Sequence, residues 1–174
     1  MVCTDVETGR AVYQKAEQEM SIDELCEWIR ASASMPLVSR IVEIGGRKLL
    51  DGGVSDSIPL RYFQEIGFQR NVVILTQPRN YVKQPTSFMP LMRLALRKYP
   101  HMLSALMHRH VMYNAQLRYL EEQEKLGQTL VIAPERKLKI NHTSHDPAIM
   151  QEVYDMGKQQ GLAELNRIKA FLFA

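Results

Sequence analysis

The sequence predicts an α/β fold that gives way to a mainly helical C-terminal region, on three observations. A capped, amphipathic stretch at Ser21–Ala31 stands among short apolar runs, Ile41–Ile44 and Lys48–Leu50, that flank Gly45-Gly46. Val72-Val73-Ile74-Leu75 is a continuous, mostly β-branched run, the pattern of a strand covered on both faces as in parallel sheets. Strand, helix and strand in that order make α/β the expected class. Beyond Pro85 the apolar residues recur at three- and four-residue steps, so residues 1–85 are expected to form the α/β portion and 86–174 the helical extension.

In chain order, Met1–Thr4 is an expected strand closed by a turn at Glu7-Thr8-Gly9. Ser21 and Glu24 have capping-box spacing, in which the serine accepts from the Glu24 N–H and the glutamate reaches back. Ile22, Leu25, Cys26 and Ile29 then line one face of a helix over Ile22–Ala31, which small residues and Pro36 stop. Gly45-Gly46 is an expected hairpin turn. Pro59 suits the first turn of a short helix ending near Gly67, and Asn71–Thr76 is the next strand. Helices are expected over Phe88–Tyr99 and Met102–Leu126, the second with Leu103, Leu106, His110, Tyr113, Leu117 and Leu120 on one face and Gly127 as its stop. Thr129–Ala133 is a short strand. Asp146-Pro147 opens a helix with Ile149, Val153 and Met156 inward, and a last helix carries Leu162, Leu165, Ile168 and Phe171.

The chemistry centres on Lys48-Leu49-Leu50-Asp51-Gly52-Gly53, where a buried strand delivers one acid and then turns away. In open α/β sheets, ligands bind in the crevice at the carboxyl ends of strands. Glycine there permits positive φ or the close approach of another segment. The competing reading is a plain turn, since Asp-Gly is a common turn dipeptide. Upstream stands Arg30-Ala31-Ser32-Ala33-Ser34-Met35-Pro36, downstream Val54-Ser55-Asp56-Ser57-Ile58-Pro59-Leu60, and the chain opens with Val2-Cys3-Thr4-Asp5-Val6-Glu7-Thr8-Gly9-Arg10.

Together these segments resemble the second half of the patatin-like phospholipase fold, and the resemblance continues through Asn71–Pro78. Beyond about Tyr99 it becomes similarity to a helical extension of some bacterial patatin-like proteins, notably at Leu130-Val131-Ile132-Ala133-Pro134-Glu135. The resemblance implies that Asp51 is the acid of a Ser-Asp dyad, with Gly52 and Gly53 as backbone supports. It also implies a lipid or other acyl ester as substrate and no metal or organic cofactor. The family's Gly-x-Ser-x-Gly nucleophile elbow and Gly-rich oxyanion loop occur nowhere in these 174 residues. The sequence is therefore expected to be the C-terminal part of a longer serine acylhydrolase, inactive alone. The rival reading is a noncatalytic module that completes a partner's sheet and docks protein or membrane.

Other constellations have simpler explanations. Asp56 is an acid of a loop or helix start, although it stands close enough in sequence to pair with Asp51. Ser32, Ser34, Ser55 and Ser57 lack an elbow context, and Ser57 suits a helix cap. His142, His145 and Asp146 have the types of metal ligands, but loop histidines and a capping aspartate account for them. His108-Arg109-His110 is an expected solvated helix segment with His110 partly inward.

Composition is that of a globular chain, 45% hydrophobic and 24% charged, which excludes disorder and fibre. A net charge of +3 with little aromatic interleaving argues against nucleic acid. The two cysteines, Cys3 and Cys26, are expected to be buried free thiols in a reducing, cytoplasmic setting. No apolar run reaches membrane-spanning length and no signal-peptide pattern opens the chain. Charge is unevenly placed, however. Between Glu65 and Glu121 no acid occurs, while Arg70, Arg79, Lys83, Arg93, Arg97, Lys98, Arg109 and Arg118 fall inside with several methionines. That composition suits contact with an anionic membrane surface through Arg93, Arg97 and Lys98. It equally suits packed helices with a solvated basic face and methionine as gap-filler.

Overall fold

The computed structural model describes residues 1–86, 89–140 and 144–173. Its fold is α/β, with a helical region following the sheet-bearing N-terminal segment. Contacts group the chain into two compact units, residues 1–59 with 83–117, and residues 60–82 with 118–174.

The first unit is built on a four-stranded sheet of β1 (Val2–Asp5), β2 (Ala11–Tyr13), β3 (Val42–Ile44) and β4 (Arg47–Asp51), in the order β2-β1-β4-β3. Every pairing is antiparallel, with Cys3 opposite Asp51 and Val42 opposite Leu49. Strand β2 was not expected, because Ala11-Val12-Tyr13 is too short to show a period. The hairpin at Gly45-Gly46 forms as expected, and both glycines take positive φ (56° and 76°).

Successive residues of a strand face opposite ways, so Leu49 and Leu50 enter different cores. Leu49 joins Cys3, Trp28, Ala31 and Val42; Leu50 joins Val6, Val54, Leu96, Met102 and Leu106. Both leucines are sealed, at 0% and 2% exposure, so this antiparallel sheet is covered on both sides. Helix α1 (Ile22–Ser32) covers the first face, and Ser21 caps it by accepting from the Glu24 N–H at 3.1 Å. The buried stripe is Trp28 and Ala31; Ile22 and Ile29 are 78% and 52% exposed and Cys26 is exposed. The expected apolar face was therefore the wrong one. The helix carries two apolar stripes, and the sheet takes the one with the large Trp28 indole and the small Ala31, which fit above Leu49.

On the other face lie α3 (Met89–Ala95) and the start of α4 (Pro100–Lys125). Met102 is fully buried and Met92 packs against the same cluster, so these two methionines are core. Met107, at 38%, is exposed.

In the second unit, β5 (Asn71–Ile74) and β6 (Thr129–Ile132) pair in parallel. The parallel pairing matches expectation, but Ile74 is 72% exposed, so β5 is not covered on both faces. The run Val72–Leu75 reads as if sandwiched because β-branched residues also suit a half-open strand. Arg79 joins the elements: its Nη2 donates to Glu124 at 2.8 Å and to the Val131 carbonyl at 2.9 Å. Their ion pair holds the Glu124 carboxyl below its ordinary range, chiefly through the Arg79 hydrogen bond. Short α2 (Leu60–Glu65) is tied in by Gln64 Nε2, which donates to Gln123 at 2.8 Å.

The chain ends in one helix, α5 (Pro147–Phe173), where two were expected. Gly157 and Gly161 do not break it; a glycine costs a helix only about 1 kcal/mol against alanine. Asp146 caps α5 through the Ala148 N–H at 2.9 Å. Ile149, Val153, Met156, Ile168 and Phe171 are half-covered as expected, whereas Leu162 and Leu165 face outward at 63% and 40% exposure.

The thiols separate cleanly. Burial, and secondarily the Asp51 carboxylate, push the Cys3 thiol from 9.0 up to about 11, with the N-terminal ammonium opposing. Cys26 is exposed. Alkylation of the native chain with iodoacetamide at pH 8.5 should therefore modify one thiol, Cys26, and a second only after denaturation. Peptide mass spectrometry reads the outcome; rapid labelling of native Cys3 would contradict its place in the core.

Candidate functional site

Asp51 is the last residue of β4, and a single 3-10 turn, Gly52–Val54, begins directly after it. The residue is held from three sides. The Asp51 N–H donates to the Ser34 carbonyl at 2.8 Å, and the Asp51 carbonyl accepts from the Thr4 hydroxyl at 2.8 Å. The side chain caps the turn, with Oδ1 accepting from the Gly53 N–H at 2.7 Å. Among the described residues Oδ2 accepts no hydrogen bond and the carboxylate makes no ion pair. One oxygen is thus fixed by the backbone and the other is available to a proton donor. The strand runs antiparallel to both neighbours, so the parallel-sheet rule does not place the acid; the capped turn does.

The two glycines have different reasons. Neither takes positive φ. A Cβ on Gly52 would lie 2.2 Å from the Val2 carbonyl oxygen, inside any tolerable contact, so close backbone approach demands glycine there. A Cβ on Gly53 would lie 3.1 Å from Asp51 Oδ1 and 3.2 Å from Arg109 Nη2, both at the ends of side chains.

Arg109 is the residue at this turn that the sequence did not point to. It was expected in a solvated helix segment, yet it is half-buried and its Nε donates to the Gly53 carbonyl at 2.7 Å. Ser57 donates to that same carbonyl at 2.6 Å, so it supports the turn and does not cap a helix. Only the absence of acids around Arg109 hinted at this, because a contact across 56 positions leaves no local period.

Asp56 is fully engaged by its own partners. Its Oδ2 accepts from the Tyr13 hydroxyl at 2.6 Å, and its Oδ1 from Gln116 Nε2. It is a structural acid and forms no pair with Asp51. The remaining serines are likewise committed: Ser32 donates to the Val2 carbonyl and Ser34 to the Arg30 carbonyl, each at 2.7 Å. Thr4 donates its one hydroxyl hydrogen to the Asp51 backbone carbonyl, so Ser55, 2.8 Å away, is the donor of their pair.

His142 lies outside the described residues, and His145 is exposed. Among the described residues no group of His, Cys, Asp or Glu could hold a metal ion. Arg93, Arg97 and Lys98 are exposed, and none makes an ion pair among the described residues. No described helix is long and apolar enough to cross a membrane.

Residues 3–63 match patatin-like phospholipase. The match takes in β1, α1, the Asp-Gly-Gly turn and the start of α2, and supports a member of a lipid-hydrolase family. Residues 99–173 match a domain of unknown function, DUF6363. No curated protein matches the chain.

Stability should report the difference between the glycines. Gly52→Ala forces backbone apart and should destabilise the chain by about 1–3 kcal/mol, the usual range for overpacking. Gly53→Ala needs only side chains to yield and should cost clearly less. Urea denaturation followed by Trp28 fluorescence compares them; equal midpoints would contradict the close approach at Val2.

Proposed function

We propose that this chain supplies the acid of a patatin-like lipid acyl hydrolase, with Asp51 as the base of a Ser-Asp dyad. The observation that carries the reading is the half-committed carboxylate: Gly53 N–H fixes Oδ1 at 2.7 Å, on the segment that matches the family. The serine belongs to a segment outside these 174 residues, since the sequence contains no Gly-x-Ser-x-Gly. That serine attacks the acyl carbonyl while Asp51 takes its proton, and the proton passes to the departing alkoxide. Water then attacks the acyl-enzyme, again giving its proton to Asp51, and the fatty acid leaves as serine regains its hydrogen. Thr4, Ser34 and Gly53 keep the carboxylate from rotating away; we place the activity in the cytoplasm.

Paired with the serine-bearing segment, the Asp51→Asn variant should lose ~10²–10⁴-fold in kcat, the usual worth of general-base assistance, with KM little changed. The 174-residue chain alone should not turn over p-nitrophenyl butyrate or palmitate. An Asn variant with near wild-type kcat would reduce Asp51 to a turn residue.

A specific observation favours membrane contact as well. Leu91 and Leu94 are 56% and 66% exposed on α3, beside exposed Arg93, Arg97 and Lys98. Exposed leucines flanked by cations suit the interface of an anionic bilayer, where each cation contributes on the order of 1 kcal/mol. Replacing Arg93, Arg97 and Lys98 together by Gln should lower co-sedimentation with phosphatidylglycerol vesicles and barely alter hydrolysis of a soluble ester. Salt should weaken wild-type binding, as the Debye length falls to ~3 Å at 1 M. Equal, salt-insensitive binding to neutral and anionic vesicles would overturn the contact.

A further inference from the structure

Arg109 stands beside the Asp51 turn and Lys83 lies against the next turn of the same helix, at Tyr113 and Asn114; among the described residues no acid pairs with either. Arg109 spends its Nε–H on the Gly53 carbonyl, and its Nη2 lies against Gly53. Neither of its terminal amino groups makes a hydrogen bond among the described residues. Lys83 is brought to the same helix face by a two-point clamp. Its N–H donates to Asn114 Oδ1 at 2.9 Å, and Asn114 Nδ2 donates to its carbonyl at 3.0 Å. Its ammonium stands 5.3 Å from the centre of the Tyr113 ring, one helical turn beyond Arg109. Tyr113 offers it a π-face, which does not neutralise charge.

Folding thus sets a half-buried lysine against the helix that carries Arg109, one turn further along. Burial first, and the Arg109 charge second, lower the Lys83 pKa, and no carboxylate figures among the causes. Like charges gathered without a counter-charge are costly unless something anionic joins them, and Asp51 does not do so at ion-pair distance. A guanidinium held by its Nε presents its outer edge in the fork that suits phosphate oxygens, with lysine as a compact second charge.

We propose that Lys83 and Arg109 form a phosphate subsite beside Asp51 that receives the phosphate of a phospholipid substrate. The assignment of the phosphate to a substrate rests on the hydrolase reading above; the subsite itself rests on the two cations and their clamp. The clamp fixes the Lys83 backbone and leaves its ammonium free to turn to the ligand. The subsite selects among acyl esters: a phosphate-bearing lipid gains two charged contacts that a neutral glyceride cannot make.

Isothermal titration calorimetry on the full 174-residue chain tests this with three probes: dihexanoyl phosphatidate, inorganic phosphate and dihexanoylglycerol. Phosphatidate should bind more tightly than either of the others, and less tightly as salt rises. Lys83→Gln and Arg109→Gln should each weaken it by ~10-fold or more, the worth of one charge-assisted hydrogen bond. Lys83→Arg should retain binding. Lys83→Gln is the decisive variant, because Arg109 also supports the Gly53 carbonyl and its loss disturbs the turn. Phosphatidate affinity unchanged by Lys83→Gln, or no phosphatidate binding at all, would overturn the subsite. Inorganic phosphate bound as tightly, with the same losses, would assign the site to free phosphate and overturn the lipid assignment. None of these readings needs turnover, so a failed dyad shows instead as an Asp51→Asn variant that still hydrolyses ester.

Discussion

The Val2 carbonyl oxygen occupies the place where any residue but glycine at position 52 would carry its Cβ, at 2.2 Å. Much of the first unit depends on that contact. It sets how closely β1 and the turn after β4 approach, and so lets Thr4 reach both the Asp51 carbonyl and Ser55. The same Val2 oxygen accepts the Ser32 hydroxyl, which anchors the end of α1. Just beyond, the Ser34 carbonyl receives the Asp51 N–H. A single close packing of backbone on backbone thereby ties helix, sheet and acid, and the small residues of Arg30–Ser34 are small for that reason. Bulk at Ser32 or Gly52 would push α1 or the turn away and release the carboxylate from its frame.

What was legible in the sequence was local. The Ser21 cap, the Gly45-Gly46 hairpin and the Asp146 cap each depend on neighbours within a few residues, and each formed. Asp51 stood out because a strand signal, an acid and two glycines coincide. Its position at the strand's end agrees with that reading, while the reason for glycine, a carbonyl from across the sheet, was not readable. Choices between comparable alternatives failed. Helix α1 has two apolar stripes, and only the shape of the sheet above Leu49 decides that Trp28 goes in and Ile29 stays out. Gly157 and Gly161 resemble a break, but over the length of α5 their cost is minor.

Arg109 illustrates a harder limit. Its neighbours His108 and His110 give it the look of a surface residue, and its partner lies 56 positions away. Helix α4 presents Met102 and Leu106 to the apolar core, then Arg109 to the Gly53 carbonyl, then Gln116 to Asp56 and the Ile58 N–H. One helix face thus passes from apolar to cationic to amide within a few turns. A periodicity search sees the polar members as interruptions, although they bind the turn that frames Asp51. The polar members of that face meet a backbone carbonyl at Gly53, a carboxylate at Asp56 and a backbone N–H at Ile58, part-buried groups that folding leaves in need of partners.

The acid-free stretch between Glu65 and Glu121 contains cations of three physical kinds. Arg79 is a structural ion-pair partner, clamped by Glu124 and the Val131 carbonyl. Arg93, Arg97 and Lys98 stand in solvent, where neighbouring charges are screened over about 10 Å at ordinary ionic strength. Lys83 and Arg109 are half-buried, and there the same Coulomb repulsion acts through a medium of lower effective dielectric. An acid inserted near the exposed group would change little beyond surface potential. One inserted beside Lys83 would offset one of the two charges and compete with any anion for the pair. The absence of acids has its sharpest physical consequence at that half-buried pair, where a charged ligand gains more from two cations than it would from the same two in water.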